Sequence, residues 1–283
     1  MTVVVIGGTG SLGAEVVRAL AQRGVPVRAV SRRLDAPRPD GAELVTADLA
    51  DPESLDRACA GAQRLFLLSS PTRDQITLET NGIDAAERAG IEHVVKISNI
   101  PIEGLDDGLH GNHRAIERRL AASPVSSTVL QPSFFTSVLA RQAGLLHRGR
   151  FVMPIGKGRI AWIDPRDIAE VAATVLAGAN PPPGAHQLTG PEALNATELT
   201  RRIGRACNRD ITLLRPNRER WRDDLVSGGM DPWLADSTYH LYGAIARGAL
   251  ADVSPAVDEL LGRAPRPIDD WLTDFLAPSL RAR

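Results

Sequence analysis

Apolar and polar positions alternate between two periods along the first half of the chain. Val3 to Ile6 is a β-branched run that predicts a buried parallel strand, and Ser11 to Leu20 repeats its apolar residues at helical spacing. Val27 to Val30, Glu43 to Thr46, Leu65 to Leu68, Val94 to Ile97 and Thr128 to Leu130 read as further strands. Helical patterns around Pro52 to Cys59, Ile76 to Ala89 and His113 to Ala122 lie between them. Asp51-Pro52 and Asp164-Pro165 have the form of a helix cap followed by a first-turn proline, and Gly24, Gly61 and Gly90 fall where helices should stop. This rhythm predicts an α/β fold, a doubly wound parallel sheet with helices on both faces.

From Ser133 the rhythm changes. A helix is expected over Phe134 to Leu146, followed by a stretch rich in glycine and β-formers from Phe151 to Ile163. Arg166 to Leu176 is helical, and the Pro181-Pro182-Pro183-Gly184 turn feeds a short strand at Gln187 to Leu188. Helices follow around Thr197 to Ala206, Glu219 to Leu225, Asp231 to Arg247 and Ile268 to Leu276. No repeat, low-complexity tract or long linker interrupts the chain. Residues 1–150 are therefore expected to form one domain, with 161–190 returning to it. Residues 151–283 are expected to form a small, mostly helical cap that does not fold independently. The cap would cover the carboxyl edge of the sheet, where open α/β folds bind ligands.

The join between the first strand and helix carries candidate chemistry. Gly7, Gly8, Gly10 and Gly13, with Thr9, Ser11 and Leu12 among them, make a strand–glycine turn–helix order suited to a pyrophosphate. Glycines let backbone approach the phosphates, and the helix start offers free N–H groups and a positive dipole end. At the end of the second strand stand Ser31, Arg32 and Arg33, where NAD sites commonly place a carboxylate. A guanidinium clamps a 2′-phosphate through parallel hydrogen bonds, so NADP(H) is favoured over NAD(H). The competing reading is a solvated arginine pair. Asp48-Leu49 is placed either to flank an adenine or simply to turn the chain.

Composition narrows the alternatives. The chain has 33 basic and 34 acidic residues, a balance with no nucleic-acid footprint. Lys96 and Lys157 are its only lysines, so any one arginine carries less meaning than usual. No apolar run reaches the roughly 18 residues of a membrane span. Two cysteines, Cys59 and Cys207, and a first strand in place of a signal segment fit a cytoplasmic location. His110 and His113 lack a third ligand, so no metal is expected.

The segments GGTGSLG, ADLADPESL, HVVKISN, HRAIE at His113 to Glu117, TVLQPSFF, GKGRIAWIDPRDIAEVA, HQLTGPEALN and LLGRAPRPIDDWL occur in this order. Together they resemble the NmrA-like branch of the atypical short-chain dehydrogenase/reductases over nearly the whole chain. The resemblance implies a Rossmann-type fold that binds NADP(H), with substrate between the sheet edge and a C-terminal lobe. Members of that branch include quinone and triphenylmethane-dye reductases, plant benzylic-ether reductases and proteins that bind the nucleotide without reducing anything.

The tyrosine acid of typical short-chain dehydrogenases, with its lysine four residues later, has no counterpart: neither Tyr239 nor Tyr242 precedes a lysine at that spacing. The plant ether reductases place a lysine where His113 aligns, which makes His113 a candidate proton donor or substrate-orienting group near neutral pH, with Glu117 at i+4 to orient it or raise its pKa; the competing reading is a polar helix residue beside the pocket without chemistry. Ser98 stands where the superfamily places a substrate-polarising serine, and is otherwise a strand-end hydroxyl. Lys96 shares its face and either reaches a cofactor ribose or snorkels to the surface. Ser69 and Ser70 are expected along the cofactor's centre. The resemblance places the loop of Pro132, Phe134 and Phe135 beside the nicotinamide and the substrate, where the rings would suit a flat acceptor; the competing reading of the Phe pair is core packing. The reading is an NADPH-dependent reductase of a quinone, enone, imine or similar acceptor, with a small-molecule substrate and a homodimer as one assembly. The alternatives are a non-catalytic NADP(H) sensor acting through a protein partner, and a non-redox tailoring enzyme on the same fold.

Overall fold

The computed structural model describes residues 1–33 and 35–281. In chain order the first elements are β1 (Val3–Val5), α1 (Ser11–Ala21), β2 (Val27–Ser31), β3 (Ala42–Thr46), α2 (Pro52–Cys59), β4 (Arg64–Leu67), α3 (Gln75–Ala89), β5 (His93–Ile97), α4 (Gly108–Ala121) and β6 (Ser126–Pro132). A 3-10 helix (Thr136–Gln142), α5 (Ala143–His147), β7 (Arg150–Val152), β8 (Arg159–Ile160), α6 (Pro165–Ala177), β9 (Gly184–Leu188), β10 (Leu194–Asn195), α7 (Ala196–Cys207) and β11 (Thr212–Leu214) follow. The chain ends with α8 (Arg218–Ser227), α9 (Pro232–Ala246), α10 (Ala256–Leu261), α11 (Ile268–Trp271), a π turn (Leu272–Leu276) and α12 (Ala277–Arg281). Contacts divide the chain into two units, Met1–Pro101 with Leu109–Gln131 and Arg166–Gln187, and Ile102–Gly108 with Pro132–Pro165 and Leu188–Arg283.

A seven-stranded sheet in the order β3-β2-β1-β4-β5-β6-β9 frames the first unit, and the pairings from β3 to β6 are all parallel. The central strands β1, β4 and β5 are buried along their whole length, as sheets covered on both faces require. Val4, Ile6, Leu65, Leu67 and Val94 pack with Leu55 of α2, Ile83 of α3 and Ile116 and Leu120 of α4. Each fully buried Leu or Ile of this layer stabilises the fold by about 1.5–3 kcal/mol. Val3 and Val5 alternate onto the opposite face, and α1 turns Leu12, Val16, Val17 and Leu20 inward. The doubly wound fold expected from the rhythm is the one observed.

Local signals account for several boundaries. The Asp51 side chain accepts the Ser54 N–H with Pro52 in the first turn of α2, and α3 ends at Gly90 in the left-handed region. In the second unit Asn195 and Glu198 form a capping box at α7. The helix expected over Phe134 to Leu146 is broken instead. Thr136 N–H donates to Ile163 O and Ile163 N–H to Phe134 O, each at 3.0 Å. This short ladder holds Phe134 and Phe135 extended, and helix starts only at Thr136. Strands β10 and β11 and helix α10, not expected from the pattern, also belong to this unit.

Candidate functional site

Gly7 follows β1 with φ +76°, a conformation that favours glycine. A Cβ on Gly13 would lie 2.0 Å from Gly7 O, so α1 and the loop pack backbone against backbone. No side chain caps α1 and no acidic residue occupies its first turn. Its first N–H groups are therefore open to an anion. Thr9, Gly10 and Ser11 are exposed, whereas Leu12 and Gly13 anchor the turn in the core.

At the end of β2 the buried Ser31 hydroxyl accepts the Arg33 N–H at 3.1 Å. The Arg33 guanidinium forms a two-point pair with Asp35 at 2.9 and 2.8 Å, both groups standing about three-quarters exposed. Arg32 has no ion pair among the described residues and is the guanidinium open to an incoming phosphate. A cavity of about 250 Å³ lies beside the loop, lined by Thr9, Ala14, Arg18, Pro37, Arg38 and Asp40 among others. The sequence reading missed Arg18, one polar position of the α1 helix among many arginines, and Arg38, which lies in the non-periodic stretch between β2 and β3. Asp48 turns the chain by accepting the Ala50 N–H at 2.9 Å, and Leu49 packs against the core.

Beyond β5 the structure assembles a buried charged cluster. Lys96 is wholly buried, which corrects the snorkelling alternative: its ammonium stays inside the first unit. Nζ lies 2.8 Å from Glu79 Oε2, an ion pair rather than a directed hydrogen bond. Nζ also donates to Ile97 O and stands 3.3 Å from His113 Nδ1. Glu79 Oε1 accepts from Ser69 Oγ at 2.7 Å and Gln75 Nε2 at 3.1 Å. Glu79 escaped the sequence reading because its helical position looks like any other in α3. Ser70 beside Ser69 is exposed.

His113 does not meet Glu117. Helix α4 starts before His113, at Gly108, and the Glu117 carboxylate accepts from Ser98 Oγ and, at 3.0 Å, from Gln131 Nε2. Burial first, then the charges of Lys96 and His110, hold the His113 pKa well below its usual value. The ring is thus held toward the neutral form, which removes the alternative that Glu117 raises its pKa. Ser98 is buried with its hydroxyl committed to Glu117.

In the second unit Pro132 and Ser133 are buried, and Ser133 N–H donates to Leu188 O at 2.8 Å. The half-buried Phe134 ring meets Trp162 and Tyr242 edge-on at 5.3 and 5.8 Å, and Tyr242 packs on Trp221. Phe135 is half-buried. Burial raises the Tyr242 pKa, so this phenol keeps its proton. Cys59 is free and buried, its thiol pushed up to about 11 by burial, which leaves it unreactive. Among the described residues no cluster of three metal-holding side chains occurs, and no helix is long and apolar enough to cross a membrane.

Fold and loop together define a doubly wound α/β protein whose first strand runs through a glycine turn into an uncapped helix. The NmrA-like family model matches residues 1–219, and the chain belongs to that family. It is 31% identical over 282 residues to the NAD(P)H azoreductase of Xenophilus azovorans, covering 95% of this chain and 96% of that one. It is 32% identical over 275 residues to the (4-alkanoyl-5-oxo-2,5-dihydrofuran-3-yl)methyl phosphate reductase of Streptomyces griseus, with 95% and 96% covered. The NADPH-dependent quinone oxidoreductase structure from Escherichia coli superposes with a TM-score of 0.84 at 24% identity, over 97% of this chain and 99% of that one.

Proposed function

We propose that the protein is an NADP(H)-dependent reductase of a small conjugated organic acceptor such as a quinone, enone, imine or azo compound. The observation that carries this reading is the glycine turn closed on the uncapped start of α1, with the exposed Arg32 at the end of β2 in no ion pair among the described residues. Full-length likeness to two proteins named as reductases, one of them NAD(P)H-dependent, supports it.

The residues present fit the nucleotide. Gly7, Thr9, Gly10, Ser11, Leu12 and Gly13 would hold the pyrophosphate on backbone N–H groups. Arg32 would take the 2′-phosphate, joined by Arg33 when that side chain exchanges Asp35 for it; an exposed pair of this kind costs little to open. Ser31 braces the turn, and Asp48, Leu49, Ser69 and Ser70 border the remaining length. The bound cofactor supplies a hydride. Lys96, through its buried ion pair, sets the electrostatics of this region instead of contacting a ribose directly. His113 is the polar group assigned to the acceptor's oxygen or nitrogen, with Ser98, whose proton goes to Glu117, retained only as an accepting oxygen; in the second unit Pro132, Phe134 and Phe135 are the candidates for apolar contact with a flat ring. A quinone acceptor needs little help from an internal acid once reduced, because hydride addition leaves a stabilised phenolate, which suits a site built without a Tyr-x-x-x-Lys pair.

The test is NADPH consumption against a panel of quinones, enones, imines and azo compounds beside an NADH control. Turnover of at least one acceptor class with NADPH preferred is expected. Tight NADP(H) binding with no turnover on any class would favour the non-catalytic sensor, and acceptor conversion without cofactor would favour the non-redox tailoring enzyme.

A further inference from the structure

We propose that the buried Glu79–Lys96 pair is a positioning device that fixes His113 as a neutral imidazole protonated on Nε2, making it a standing N–H donor and not an acid. Use of that donor on an acceptor rests on the reductase reading; the protonation state itself does not.

An ammonium group has three N–H donors and no acceptor. Lys96 Nζ donates to the Ile97 carbonyl oxygen, stands 3.3 Å from His113 Nδ1 and is ion-paired with Glu79 Oε2 at 2.8 Å. The opposite charge is held in the same way, since Ser69 Oγ and Gln75 Nε2 donate to the other oxygen of Glu79. Donors face one oxygen and the ammonium the other, an arrangement that matches a group whose oxygens only accept. With both charges in place, His113 Nδ1 faces an N–H and accepts from it. A proton on Nδ1 would point into an ammonium.

The single proton of the neutral ring therefore sits on Nε2. No hydrogen bond is made by Nε2 among the described residues, so its N–H is uncommitted within the protein. The groups facing the ring are Lys96 from β5 and His110 on α4 itself, and both oppose positive charge on it. Glu79 of α3 acts on the ring only through Lys96. Burial opposes an imidazolium as well. A donor of this kind steadies negative charge developing on an acceptor without surrendering its proton, and its strength does not change with pH through neutrality. Lys96 and Glu79 are thus positioning residues, set behind the group that would touch substrate.

The test is multiple-bond proton–nitrogen NMR on protein labelled with nitrogen-15 histidine, the His113 signals being assigned by their loss in His113→Gln. An unprotonated-type shift at Nδ1 and a protonated-type shift at Nε2 are expected, unchanged as pH passes through 6.5, where a free imidazole titrates. An Nδ1–H tautomer, an even mixture, or titration near 6.5 would overturn the proposal. The combined variant Glu79→Gln/Lys96→Met removes both charges at once. In this variant the His113 tautomers are expected to mix and the ring to titrate at higher pH than in the parent. An unchanged His113 signature in the folded variant would remove the positioning role. The wild-type spectrum decides the tautomer even if that variant does not fold, and neither reading needs cofactor or substrate.

Discussion

Lys96 Nζ lies 2.8 Å from Glu79 Oε2, and both side chains are wholly buried. Breaking such a pair strands one charge inside the protein. Glu79→Gln or Lys96→Met alone is expected to cost about 3–5 kcal/mol of stability, and the double substitution much less than the sum of the two. A urea-unfolding double-mutant cycle measures this. Additive costs would show that the two groups do not act as a pair.

The glycine turn leaves no room for a side chain at its closest approach. Gly13→Ala would drive a methyl group to within 2.0 Å of Gly7 O, a contact with backbone that no side-chain rotation relieves. A loss of at least about 1–3 kcal/mol is expected, with weakened nucleotide binding. Thermal unfolding and a binding titration read the two effects together. A variant of native stability and affinity would mean the turn is not closed as described.

Stability should fall in mild acid. His93 bonds Ser126 Oγ at 3.0 Å and Thr128 Oγ1 at 2.8 Å, and burial, aided by the Arg64 charge, lowers its pKa from 6.5 to about 4. The unfolded chain thus takes up this proton at higher pH than the folded one. The stability due to neutral His93 is complete above pH 6.5 and is lost progressively as pH falls toward 4. The loss amounts to about 3 kcal/mol at most, and His113 adds to it in the same direction. Urea midpoints measured across this window should decline in the wild type and decline less in His93→Gln. Equal slopes would contradict the assignment.

The two arginines after β2 should not be equivalent. Arg32→Ala is expected to weaken NADPH binding by roughly 10-fold or more, the worth of a charge-assisted hydrogen bond, with little effect on NADH. Arg33→Ala should do less, because its guanidinium is already held by Asp35. Asp35→Ala, which frees Arg33, should tighten NADPH binding. Titration of each variant with both nucleotides checks the order, and equal effects on NADPH and NADH would remove the arginines from 2′-phosphate recognition.

Much of the first unit was legible because its signals are local. The run before Gly7, the proline after Asp51 and the glycine at 90 each mark a boundary through the conformation of the residue itself. Pairings between distant elements left no such mark. Glu79 stands 17 residues before Lys96, and only the register of the sheet and the docking of α3 bring them together. Glu117 looked like a partner for His113 on helical spacing, yet its oxygen turns to Ser98 and Gln131 on neighbouring strands. Phe134 to Leu146 has helical periodicity, but hydrogen bonds to Ile163 hold its first residues extended. At each of these sites tertiary contact outweighed local pattern.

The glycine turn and Arg32 together are the groups proposed to hold the phosphates of NADP(H). Equilibrium titration of the purified protein with NADPH and NADH tests this assignment most directly. NADPH is expected to bind at least about tenfold more tightly, as an arginine–phosphate contact requires, and to lose that advantage in Arg32→Ala. Equal affinity for the two nucleotides, or binding of neither, would contradict it.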